Sequence, residues 1–141
     1  MKDTLEPPPI KLACLIDDDK VYANLIKKIL EIKNLSQNLL LFKNGQEALE
    51  YFKALLENLT EQQLPEIILL DLNMPVMDGW EFLNEFTLIK NRFHKKITLY
   101  VVSSSIDPRD LERAKSFHMV EDYLIKPIEI KKFQEIFQPQ D

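Results

Sequence analysis

Short apolar runs recur along the chain with amphipathic stretches between them, and the two kinds of segment alternate. Leu12 to Ile16 (LACLI) is the first run, long enough for a strand and too short for a helix. Lys20 to Asn34 follows, with Val21, Leu25, Ile29 and Ile32 at helical spacing. Leu39 to Phe42 predicts a second strand. Asn44 then caps a helix, with Glu47 three residues on in a capping-box pattern, and Ala48, Phe52, Leu55 and Leu59 form its inner face. Pro65 precedes the third strand, Ile67 to Leu70. Asp78 and Glu81 form another capping box, opening a helix through Leu83 and Phe86. Ile97 to Val102 predicts the fourth strand. Asp107-Pro108 places an N-cap before a proline at the first helical position, with Leu111 and Ala114 behind it. Tyr123 to Ile125 is a short fifth strand, and Ile130, Phe133, Ile136 and Phe137 suggest a last helix. Strict alternation of this kind implies right-handed crossovers and a doubly wound α/β fold, a parallel sheet covered on both faces. The near-continuous apolar character of the strands agrees with burial on both sides.

Composition narrows the class. At 141 residues, 45% hydrophobic and 29% charged, the chain has the length and apolar content of one globular domain with one core. Its net charge of −5 leaves no basic footprint for nucleic acid. The apolar runs fall far short of the ~20 residues that cross a bilayer. Met1 to Lys11 carries no signal-peptide core, and Pro7-Pro8-Pro9 reads as an extended lead-in over residues 1–10. The single cysteine, Cys14, lies inside the first apolar run, the place of a small buried side chain. A cytosolic domain over residues 11–138, with a tail at 139–141, is the expectation.

Ligands of open α/β sheets bind beyond the carboxyl ends of the strands. Reading only the residues that end each strand gives a coherent set. The first strand runs into Asp17, Asp18 and Asp19, the third into Asp71, the fourth into Ser103 and the fifth into Lys126. Carboxylates so placed repel one another and raise one another's pKa. A divalent cation resolves this, and an oxygen-only shell favours Mg²⁺. A nearby lysine can hold a phosphoryl oxygen as a point charge, and a serine can donate to another. A carboxylate in this setting can attack phosphorus and form an acyl phosphate, a transfer that needs mainly positioning and charge neutralisation. Asp19 is equally suited to capping the first helix, and Asp78-Gly79 to a turn. Trp80, Phe82 and Phe86 read as packing. His94 and His118 lie in polar loop contexts and are weak candidates for phosphoryl carriage or metal binding.

The stretches IDDD at 16–19, LLDLNMPVMDGWEFL at 69–83, VVSSS at 101–105 and DYLIKP at 122–127 resemble the response-regulator receiver domains of two-component signalling, in family order and over roughly Lys11 to Phe137. The resemblance implies a flavodoxin-like (βα)5 domain with strand order 2-1-3-4-5. It makes Asp71 the phospho-acceptor. Asp18 would ligate Mg²⁺ directly, Asp17 through a water, and Asn73 through its backbone carbonyl. Lys126 would pair with the phosphoryl group, with Pro127 after it. Ser103 would be the switch hydroxyl and Tyr123 the aromatic that turns inward with it. Counting back from Lys126 favours Ser104 instead; a one-residue insertion near Phe117-His118-Met119 restores Ser103. The implied partners are a sensor histidine kinase or histidine phosphotransfer protein and an unknown downstream protein, with no DNA or membrane partner. The implied protein is a single-domain regulator, monomeric or dimerising on phosphorylation, whose only chemistry is its own phosphorylation and dephosphorylation.

Rival functions fit less well. A flavodoxin-like cofactor binder needs a Ser/Gly/Thr-rich phosphate loop where this chain has aspartates, and two glycines, Gly45 and Gly79, assemble neither a P-loop nor a dinucleotide fingerprint. A phosphatase with an aspartate nucleophile commonly has a second Asp two residues on, where Asn73 stands. A receiver with a decayed site is disfavoured by the intact acidic pair, Asp71, a strand-end hydroxyl and Lys126.

Overall fold

The computed structural model describes residues 7–58 and 63–138. Five strands and five helices alternate: β1 (Ile10–Ile16), α1 (Lys20–Ile32), β2 (Ser36–Phe42), α2 (Gly45–Glu57), β3 (Ile67–Asp71), α3 (Gly79–Ile89), β4 (Thr98–Ser103), α4 (Pro108–Lys115), β5 (Val120–Ile125) and α5 (Ile130–Ile136). A single 3₁₀ turn, Lys90–Arg92, extends α3. All strand pairs are parallel, in the order β2-β1-β3-β4-β5. This is the doubly wound arrangement that the alternation predicts.

Period-two alternation divides the strand side chains between two cores. Cys14, Ile16, Ile68, Leu70, Leu99 and Val101 face α2, α3 and α4, where Phe52, Phe82 and Phe86 are fully buried. Leu15, Leu69, Tyr100 and Val102 face α1 and α5, against Ile26, Leu30, Phe133 and Phe137. Every residue of β3 is buried, as the central strand demands. Among the described residues no helix is long and apolar enough to cross a membrane.

Several boundaries and faces differ from the sequence expectation. The strands β1, β2 and β5 begin earlier than their apolar runs, because ladder hydrogen bonds do not require apolar side chains; Gln37 and Asn38, and Glu121 and Asp122, are exposed on the two edge strands. The buried face of α1 is Ala23, Ile26 and Leu30, whereas Val21, Leu25 and Ile32 point outward. In α5, Ile130 is also exposed while Phe133 and Ile136 are buried. Asn44 accepts from the Glu47 N–H at 2.9 Å, but the Glu47 carboxylate turns to Lys43 at 3.6 Å, so the reciprocal half of that box is not made. Asp78 and Glu81 do complete theirs. The β4–β5 ladder carries a register shift at Glu121, so its extra residue sits in β5, just past the 117–119 turn where the spacing puts an insertion. Leu59, residues 1–6 of the lead-in and the 139–141 tail lie outside the described residues.

Candidate functional site

The chain leaves β1 toward β2 on one side and β3 on the other, so the carboxyl ends of β1 and β3 bound the crevice of the switch point. Asp17 is the first residue past β1 and Asp71 the last residue of β3. Both carboxylates are buried, at 5% and 6% exposure, while Asp18 faces solvent. One ligand oxygen from each of Asp17, Asp18 and Asp71 lies within 4.8 Å of the others. Asp19 is turned away from this group: its Oδ1 accepts from the N–H groups of Val21 and Tyr22 and caps α1.

Lys126 enters from the end of β5. Its N–H bonds the Ser103 carbonyl at 2.9 Å, and its peptide bond to Pro127 is cis. The ammonium is 2.9 Å from Asp17 Oδ2 and 3.7 Å from Asp71 Oδ1. Asp17 Oδ1 accepts from the Asp19 N–H at 2.9 Å, so both oxygens of Asp17 already have partners. Among the described residues Asp71 keeps only a long contact with the Asn73 N–H, at 3.5 Å, besides the lysine. Its carboxyl pKa is pushed up from 3.8 to about 6, first by burial and then by Asp17; Lys126 and the Asn73 N–H pull it down, and Asp18 adds a smaller push upward. Three carboxylates and one ammonium leave an excess of two negative charges around an all-oxygen donor set. Those residues fit a hard divalent cation.

The loop after Asp71 is held at both ends. Gly79 N–H bonds the Leu72 carbonyl at 3.0 Å, and a Cβ at Gly79 would lie 2.5 Å from the Asp71 carbonyl oxygen and 2.7 Å from Leu72 Cα. Only glycine lets α3 begin so close to the end of β3. Within the loop Val76 has φ of 67°, the left-handed region, and is 78% exposed. Asn73 is exposed two residues past Asp71.

Ser103, the last residue of β4, is fully buried, and its Oγ accepts from the Ser105 N–H at 3.0 Å; Ser104 is exposed. Ser105 Oγ donates to Asp110 at 2.7 Å, and the Tyr123 hydroxyl donates to the Ser105 carbonyl at 2.9 Å with its ring buried. The structure thus gathers Asp17, Asp18, Asp71 and Lys126 into one cluster. Ser103 adjoins it through the Lys126 backbone, and Tyr123 belongs to a network one step further out. The sequence reading missed Tyr22, whose ring lies 4.4 Å from the Lys126 ammonium. No motif marks it; its position in the first turn of the capped α1 was the available signal. His94 and His118 are exposed and remote from the cluster's contacts.

The response regulator receiver domain family matches residues 13–138. Among curated proteins, the probable methanogenesis regulatory protein FilR2 of Methanothrix harundinacea is 32% identical over 126 residues, 89% of this chain and 78% of that protein. A two-component response regulator from Cytophaga hutchinsonii superposes with a TM-score of 0.76 at 28% identity, covering 91% of this chain and 94% of that one. The Mn²⁺-bound form of response regulator Rcp1, a protein of Synechocystis, gives 0.66 at 28% identity, with 91% and 89% covered.

Proposed function

The chain belongs to the response regulator receiver domains of two-component signalling, and we propose that it accepts a phosphoryl group on Asp71 from a phosphohistidine donor. The observation that carries this is the pairing of a buried, under-bonded Asp71 carboxylate with Lys126 inside an all-oxygen acidic cluster. An Asp71 oxygen attacks phosphorus as the P–N bond of the donor breaks. The electron pair stays on the imidazole nitrogen and an acyl phosphate forms; no proton need move on Asp71. Lys126 exchanges its long contact with Asp71 for a phosphoryl oxygen. Mg²⁺ fits the site better than a softer metal, and when held by Asp18, Asp71, the Asn73 carbonyl and, through water, Asp17, it supplies neutralisation of the charge collected there.

Ser103 is assigned the switch hydroxyl. Its Oγ accepts from Ser105, which leaves its proton to donate to a phosphoryl oxygen. Any shift of Ser103 pulls on Ser105, and Ser105 holds both Asp110 at the start of α4 and Tyr123 in β5. A hydroxyl movement at the site can therefore reshape the α4–β5 surface for a downstream protein, in the cytosol, without a nucleic-acid interface. The donor is a histidine kinase or a histidine phosphotransfer protein.

Incubation with acetyl phosphate and Mg²⁺ followed by intact mass measurement tests the assignment. One added phosphoryl group is expected on the native chain and none on Asp71→Asn. An adduct that persists in Asp71→Asn refutes it.

A further inference from the structure

We infer that Tyr22 is a positioning residue for phosphoryl transfer, acting through Lys126; the inference rests on the reading of Asp71 as acceptor. Lysine carries a compact charge on four flexible carbons, so its location must be fixed by what surrounds it. Among the described residues the ammonium meets Asp17 at 2.9 Å, Asp71 at 3.7 Å and the Tyr22 ring, whose centroid is 4.4 Å away. The Asp71 contact must rearrange when phosphorus attaches to that carboxylate. The ring contact need not, because the attraction of a cation to an aromatic face has no hydrogen-bond direction. The ammonium can pivot from carboxylate to phosphoryl oxygen while staying on the same ring.

Local structure fixes the ring in turn. Tyr22 lies in the first turn of α1, where Asp19 Oδ1 holds its N–H at 3.1 Å, and its side chain packs against the α1–α5 core. Its hydroxyl is shielded from water and has no hydrogen-bond partner among the described residues. The part of Tyr22 engaged with the site is the ring. Phenylalanine should therefore serve in its place, and an aliphatic side chain should not.

The experiment compares Tyr22→Phe and Tyr22→Leu with the native chain for the rate of phosphorylation by acetyl phosphate in saturating Mg²⁺. A cation–ring contact out of water corresponds to a loss of about five- to thirty-fold in maximal rate for Tyr22→Leu. Tyr22→Phe should stay within about twofold of native, the rescue that this ring-only contact predicts. Mg²⁺ affinity by calorimetry should not change in either variant. In NMR spectra, the Lys126 methylene protons should show a ring-current shift in the native chain and Tyr22→Phe that is lost in Tyr22→Leu. Tyr22→Met, which fills the space flexibly, replaces the leucine variant if that one fails to fold. A leucine or methionine variant as fast as native overturns the inference while leaving Asp71 as acceptor intact. A phenylalanine variant as slow as leucine also overturns it, by moving the role to the hydroxyl. If the native chain takes no phosphoryl group, the reading of Asp71 fails first, and the inference falls with it.

Discussion

Replacing Asp71 by asparagine should stabilise the metal-free protein, and by an amount that depends on pH. In the folded chain the Asp71 carboxyl is raised from 3.8 to about 6, chiefly by burial and by Asp17. Between those two values the folded state holds a proton that the unfolded state has released. Unfolding then becomes easier as pH rises, because the unfolded chain binds fewer protons. The penalty is absent below the unfolded pKa, grows through the interval and is complete above the folded one. At about 1.4 kcal/mol per unit the full penalty is roughly 3 kcal/mol near pH 8, and roughly half of that at pH 5. Asp71 is only 6% exposed, so solvent screening removes little of it. Asparagine keeps the shape and loses the charge, and Lys126 retains Asp17 at 2.9 Å.

Urea unfolding in EDTA, followed by the fluorescence of the single tryptophan, Trp80, measures the difference directly. The expected result is an Asp71→Asn advantage of about 2–3 kcal/mol at pH 8 that shrinks steadily toward pH 4. Saturating Mg²⁺ should close the gap, since binding to the folded native chain adds stability that the variant lacks. An advantage independent of pH, or a variant less stable than native at pH 8, would refute the electrostatic account of the site.

Two further outcomes concern the loop that follows Asp71. Val76→Gly should raise stability by roughly 1 kcal/mol, because a β-branched residue at φ 67° is strained and its 78% exposed side chain gives up no packing; an unchanged urea midpoint would contradict the strain. Gly79→Ala should lose about 2–4 kcal/mol, since the added Cβ meets backbone rather than a yielding side chain. It should also slow acetyl phosphate labelling of Asp71 by displacing the strand end, and native-like labelling and stability would show that α3 can retreat freely.

The features legible in the sequence are those that the backbone dictates. Ile16, Leu70, Val102 and Ile125 end or nearly end their apolar runs, and parallel strands deliver whatever follows to one edge. Asp17, Asp71, Ser103 and Lys126 therefore fall together without any knowledge of side-chain packing. Edge strands were shorter in the reading than in the structure for the complementary reason. Ser36 and Asn38 in β2 and Asp122 in β5 pair through backbone groups while Gln37, Asn38, Glu121 and Asp122 turn their side chains to water, and hydrophobic patterning is blind to that.

The position of Tyr22 was hidden by a different ambiguity, the roll of α1 about its own axis. At about 100° per residue, Ala23, Ile26 and Leu30 form one apolar row, and Val21, Leu25 and Ile32 form another roughly 150° away. Both rows satisfy helical periodicity, so the pattern alone cannot say which faces the sheet. The larger side chains suggest the second; the structure buries the first. Tyr22 and Ile29 lie between the rows, half-buried in either case. With the observed roll, Tyr22 points along the sheet edge to Lys126; with the other, it would be swung away from β5 by the same large angle. The acidic residues and the lysine survive a misjudged helix face because strand ends fix them. A residue that reaches the site from a helix does not, and its role becomes visible only when packing has chosen the face.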